Sequence, residues 1–209
     1  MSDFQVAADL TQPFGDGGQL AQPWFNVLGN HEYGYNVSAQ LVLQQRVHNW
    51  NLPARYYTKR VALSSSAHAT FIFLDTSPCI SDYRSENAAG HDPCGSQYPT
   101  CAIDGSGDDF EGACKFHPQI IAQDCGAQHA WLKTTLRAVA ADDWLIIVGH
   151  HMADDIDVED FTTTLEVHGF DLYLNGHVHT LQHYAVDGSS KYVTSGAGSM
   201  VKVGAEGRG

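Results

Sequence analysis

FDLYLNGHVH, residues 170–179, sets a run that reads as a buried strand directly against Asn175, Gly176 and two histidines one residue apart. The same order occurs twice more. WLIIV (144–148) runs into Gly149-His150-His151, and WFNVL (24–28) runs into Gly29-Asn30-His31-Glu32. Asn and Gly are poor strand formers, so their place at the tip of each apolar run needs a reason beyond ending the strand. In open α/β sheets the carboxyl ends of the strands line the ligand crevice. The tips can therefore converge, although Asn30 lies 120 residues before His150.

Imidazole suits first-row transition metals, and a glycine beside each candidate ligand lets the backbone turn that side chain toward an ion. His177 and His179 point to one side if the backbone there is extended, so two neighbouring ions could take one each. Asn30 offers a neutral amide oxygen, which leaves an ion a strong Lewis acid. A metal site at the strand tips is the expectation. His31-Glu32 is not followed by a histidine at position 35, which excludes a zincin helix, and there is no Gly-x-Ser-x-Gly nucleophile elbow. His48, His68, His91, His117, His129 and His168 lack this context and are expected at the surface.

Around these runs the periodicity predicts helices over 36–50 (behind an Asn36 cap), 127–141 and 158–169. Strands are expected over 55–63 and 69–77, and a hairpin over 181–195 turning at Asp187-Gly188. Helices alternating with short apolar strands, plus a closing hairpin, predict an α/β domain with a mixed sheet. One domain over 1–209 is expected, interrupted by a segment from Pro78 to Cys125 without apolar periodicity. All five cysteines fall in that segment: Cys79, Cys94, Cys101, Cys114 and Cys125. Their clustering predicts disulfides and an oxidising compartment, with the pairing open, and no Cys-x-x-Cys favours a zinc ribbon.

The 24 acidic against 11 basic side chains give a net charge of −13, which opposes binding to a polyphosphate backbone. No apolar run approaches the roughly 20 residues of a membrane span. Asn36-Val37-Ser38 is a glycosylation sequon, a pattern too short to weigh much.

GNHE, GHH and GHVH in this order resemble the second half of the calcineurin-like metallophosphoesterase signature. With QPWFNVLGNHEYGYNVSAQ, WNLPARYY, FLDT and YLNGHVHTLQHY, the chain is similar to the tartrate-resistant (type 5) purple acid phosphatases. The resemblance implies a four-layer fold, two mixed β-sheets packed as a sandwich flanked by helices. It also implies hydrolysis of small phosphate monoesters by a centre pairing Fe with Zn, Mn or Fe, in a secreted or lysosomal/vacuolar-type compartment. By position, Asn30, His150 and His177 would hold the divalent ion and His179 the ferric ion. His31 and His151 would contact the phosphate or help protonate the leaving alkoxide. Because it follows the strand expected to end in Asp75-Thr76, the cysteine segment is expected to form a flap over the strand tips.

The family pattern also carries an Asp-x-His and a Gly-Asp-x-x-Tyr ahead of GNHE, and neither occurs here; Gly15-Asp16 lies too close to Asn30 to stand in. Those motifs supply the anionic ligands, whereas the ligands present are all neutral. Two multivalent cations a few ångströms apart repel strongly without that negative charge. The expectation is one metal, a vacant ferric site and no tyrosinate colour, in a piece of a longer phosphatase that lacks its first strands. A non-catalytic relative that binds metal or phosphate is the alternative, and a phosphodiesterase or nucleotidase is a further one.

Overall fold

The computed structural model describes residues 22–34, 36–85 and 116–196. They fall into two compact units, residues 1–55 with 82–122, and residues 56–81 with 123–209.

The first unit contains β1 (Trp24–Phe25), α1 (Asn30–Gly34), α2 (Val37–Leu43), β2 (Trp50–Asn51), α3 (Ser81–Arg84, starting one residue before the unit boundary) and α4 (Phe116–Ile121). The buried strand expected over 24–28 is not formed. Only Trp24 and Phe25 bridge in parallel to Trp50 and Asn51, and they are 39% and 37% exposed. The Asn51 carbonyl still accepts the Asn26 backbone N–H (3.0 Å), but the next bond of this parallel ladder would need an N–H at position 53, and Pro53 has none. Gly29-Asn30-His31-Glu32 accordingly opens a helix, with the Glu32 carboxylate accepting the Gly29 N–H at 2.8 Å. Burial raises the Glu32 pKa from its ordinary value, partly offset by the hydrogen bond from Gly29 N–H.

Asn36 caps α2 as expected, accepting from Ala39 N–H, but the helix ends at Leu43 and not near 50. Gln45 and Arg46 N–H bond three residues back, which tightens the turn and releases the chain into β2. In the segment read as aperiodic, α4 buries Phe116 and Ile120, four residues apart, and Phe116 meets Tyr83 edge-on at 5.2 Å. Residues 86–115, including Cys94, Cys101 and Cys114, the flap and His91, lie outside the described residues, as does Gly15-Asp16.

The second unit is a six-stranded mixed sheet with helices, matching the expected α/β class, and the short pair in the first unit is a second sheet. Its strands are β3 (Tyr57–Ala62), β4 (His68–Phe73), β5 (Trp144–Val148), β6 (Leu172–Asn175), β7 (Leu181–Val186) and β8 (Ser189–Ser195), in the order β3-β4-β5-β6-β8-β7. β4, β5, β6 and β8 run parallel, and β3 and β7 are antiparallel edges. β7 and β8 turn at Asp187 (φ 49°) and Gly188 (φ 83°), the two positive φ values that a tight hairpin requires.

Two helices accompany this sheet. α5 (Cys125–Ala138) begins where Asp124 accepts from Ala127 N–H, and α6 (Phe161–His168) where Asp160 accepts from Thr163 N–H. Leu132, Leu136, Phe161 and Leu165 bury into one core with Ile72, Ile147 and Tyr173. His129, expected at the surface, is buried instead. Its ring lies 3.0 Å from Glu159 Oε2, 2.8 Å from Thr164 Oγ1 and stacks on Phe161, so it fastens α5 to α6. His68 and His117 are half-buried, while His48 and His168 are exposed as expected. A disulfide joins Cys79 to Cys125 across 46 residues. Closing a loop of that length stabilises by about 4 kcal/mol on chain-entropy grounds.

At the β3 edge, Asp143 accepts from Arg60 Nε (2.6 Å) and Nη2 (2.8 Å) and from the Thr70 hydroxyl (2.6 Å), tying three neighbouring strands. The Arg60 hydrogen bonds, then that of Thr70, hold the Asp143 pKa well below the usual carboxylate range. A depressed folded-state pKa contributes stability that is present above the unfolded value near 4 and is lost as pH falls toward the folded one. In thermal melts, the Tm advantage of wild type over Asp143→Asn should be full at pH 6 and shrink below about pH 4. An advantage independent of pH would contradict this role.

Candidate metal centre

Val148 and Leu174 are partners in the parallel ladder of β5 and β6. The ladder continues past both strands, with Gly149 N–H bonded to Leu174 O (2.9 Å) and Gly176 N–H to His150 O (3.0 Å). His150 and His177 are thereby brought together, His150 Nε2 lying 3.1 Å from His177 Nδ1. The His151 ring packs 4.7 Å from that of His150 and 4.3 Å from that of His177. One ring nitrogen from each of the three lies within 4.8 Å of the others.

The tips that follow β5 and β6, both in the second unit, therefore meet. His179 does not join the group. The extended backbone that would align it with His177 is absent: His177 takes φ 37°, residues 177–180 bend, and Thr180 N–H bonds Val178 O at 2.7 Å. The left-handed turn falls on the histidine and not on Gly176, and His is among the residue types that adopt it more readily. Gly196 permits the bend, since a Cβ there would lie 2.0 Å from Val178 O. Asn30 and His31 begin α1 in the first unit, Asn30 buried and His31 exposed.

His151, only 1% exposed, is held at three points. Its N–H donates to Thr76 Oγ1 (3.2 Å), its carbonyl accepts from the Tyr173 hydroxyl (3.0 Å), and its Nδ1 lies 2.8 Å from Thr76 Oγ1. Full burial raises the Tyr173 pKa well above its ordinary value, so that hydroxyl remains a donor. Gln128 of α5 secures the turn that carries Thr76: its amide accepts from Asp75 N–H and donates to Asp75 C=O, both at 2.8 Å. Sequence reasoning missed Thr76, Tyr173 and Gln128 as supports. A signal existed for Tyr173, because a tyrosine inside an apolar strand needs a partner for its hydroxyl.

The donor set fits one divalent cation. Two nitrogens on a tetrahedral ion with bonds of about 2.0 to 2.1 Å sit about 3.3 Å apart, close to the spacing of His150 and His177. Among the described residues the cluster has no carboxylate, so nothing in it offsets the charge of a second ion.

Gly149 leaves the room in which His151 is gripped. A Cβ there would lie 2.5 Å from Tyr173 Oη and 2.8 Å from Thr76 Cγ2. Gly149→Ala is expected to destabilise by about 1 to 3 kcal/mol in denaturant melts. Adding Tyr173→Phe, which removes the nearer atom, should recover part of that loss. A Gly149→Ala variant as stable as wild type would contradict the packing.

A family model described as calcineurin-like phosphoesterase matches residues 3–181. The chain is 30% identical over 184 residues to purple acid phosphatase 7 of Arabidopsis thaliana, covering 86% of this chain and 49% of that protein. It is 28% identical over 196 residues to the tartrate-resistant acid phosphatase type 5 of Sus scrofa (90% and 50% covered). To the Mus musculus protein of the same name it is 26% identical over 208 residues (96% and 56% covered). The chain spans about half the length of the curated relatives it matches.

Proposed function

The chain belongs to the calcineurin-like phosphoesterase family, and from that premise we propose that it carries a metal-dependent site for hydrolysing small phosphate monoesters. The observation behind the proposal is the 3.1 Å approach of His150 to His177, set by the register of two parallel strands. We take residues 1–209 as one phosphoesterase domain with the insertion at 78–125.

In this reading His150 and His177 hold a divalent ion, Zn, Mn or Fe, and Asn30 is assigned to the same ion by resemblance. His179 is assigned to a second, ferric ion, which the neutral donor set of the described cluster supports weakly. A bound cation neutralises phosphoryl oxygens and lowers the pKa of water. His151 directs a ring nitrogen at the phosphate or the leaving oxygen from a buried, immobilised position, so little reorganisation is needed to orient that proton. His31, exposed, is assigned a phosphate contact by resemblance alone.

The Cys79–Cys125 bond supports an oxidising compartment, secreted or lysosomal/vacuolar in type. Among the described residues no helix is long and apolar enough to cross a membrane. A net charge of −13 disfavours nucleic acid as a partner, and Asn36 is exposed as a glycosylation acceptor would be.

Titration with Zn²⁺ or Mn²⁺ by calorimetry tests the site. One equivalent should bind, and His150→Ala or His177→Ala should each weaken it by at least about 10- to 100-fold, the loss typical of removing a supporting group. The loaded protein should turn over para-nitrophenyl phosphate in preference to its bis-ester. Binding that ignores both substitutions, or a preference for the bis-ester, would overturn the reading.

A further inference from the structure

The Thr76 hydroxyl sits where it decides what His151 can do. Thr76 is 1% exposed, and its Oγ1 already accepts the His151 backbone N–H at 3.2 Å. Its own hydrogen needs an acceptor, because a buried hydroxyl left without one carries a desolvation penalty. Among the described residues the acceptor within reach is His151 Nδ1, at 2.8 Å. A neutral imidazole has one donor and one acceptor nitrogen, so a lone pair at Nδ1 puts the proton on Nε2.

We propose that Thr76 is a positioning residue that locks His151 in its Nε2–H tautomer and thereby removes it from the metal-ligand set. With Nδ1 engaged by Thr76 and Nε2 protonated, His151 has no lone pair to give a cation, although it packs within 4.8 Å of two imidazoles that do. The three-histidine cluster is then two ligands and one donor. In this tautomer Nε2 is a donor toward an anionic oxygen; the Tyr173 and Thr76 bonds to the His151 backbone fix its main chain, and the 2.8 Å contact of Thr76 Oγ1 with Nδ1 opposes rotation of the ring. Proximity alone would make His151 a third ligand; the Thr76 hydroxyl separates the two roles.

The tautomer claim stands on geometry, and its catalytic meaning rests on the phosphoester reading. Long-range ¹H–¹⁵N NMR on histidine-labelled full chain, without added metal, reads the tautomer directly. Wild type should show His151 protonated at Nε2 and not at Nδ1, and Thr76→Ser should keep that signature. Thr76→Val should lose it and populate the Nδ1–H form, freeing Nε2 as a ligand. Zn²⁺ should then bind the valine variant up to about tenfold more tightly while kcat/KM for para-nitrophenyl phosphate falls about 10- to 100-fold, the range for loss of an outer-shell partner. Serine should restore both values. Tighter metal with slower turnover is not what general loosening of the fold produces.

An Nδ1-protonated His151 in wild type, or an unchanged tautomer in Thr76→Val, overturns the inference. If wild type shows the Nε2–H tautomer and Thr76→Val shifts it, but wild type hydrolyses no phosphoester, the phosphoester reading falls while control of the tautomer by Thr76 is supported.

Discussion

The parallel register of β5 on β6 is the constraint on which the site depends. Pairing Val148 with Leu174 places Gly149 opposite the end of β6 and His150 beside Gly176, and from there the His150 and His177 rings meet at 3.1 Å. A one-residue slip would send every side chain on one strand to the opposite face. It would bury His150 in the core or turn it away from His177. The register is itself fixed by burial, since Leu145 and Ile147 must face the core that α5 and α6 cover.

Around that pair the chain builds rigidity from unrelated parts. The Cys79–Cys125 bond and the Gln128 amide are one helical turn apart on α5, and both grip the segment from Asp75 to Cys79. That segment carries Thr76, and Thr76 carries His151. Tyr173 reaches the same histidine from inside β6, across the gap left by Gly149. On the far side, Tyr184 donates to Asn175, whose amide also bonds Thr194, fixing the residue before Gly176-His177. Each contact restrains a strand end or the few residues that follow one, which suits a site needing close placement of its side chains.

Much of this was legible in the sequence. WLIIV is a strand over the residues its apolar, β-branched composition indicates, and Asp187-Gly188 makes the turn that its chemistry demands. Both succeed because local propensity and tertiary burial agree. WFNVL failed where they disagree: its apolar residues suit a strand, yet the partner strand reaches Pro53, which has no N–H to continue the ladder. His129 was misjudged because its partners, Glu159 and Thr164, are brought close only by the packing of two helices. The position of His179 depended on a backbone assumed extended, and the left-handed His177 has no sequence signal when a more permissive glycine stands beside it. The motifs thus announced that imidazoles would gather, while the proposed split into ligand and donor turns on a threonine hydroxyl 75 residues from the histidine it touches.

X-ray absorption at the Zn edge, on protein loaded with one equivalent, addresses the central claim most directly because it counts imidazoles around the ion. The account predicts two histidine imidazoles from this cluster, reduced to one in His177→Ala. A zinc shell with three imidazoles, falling to two in His151→Ala, would contradict the division of roles, and a shell unaltered by His177→Ala would contradict the site itself.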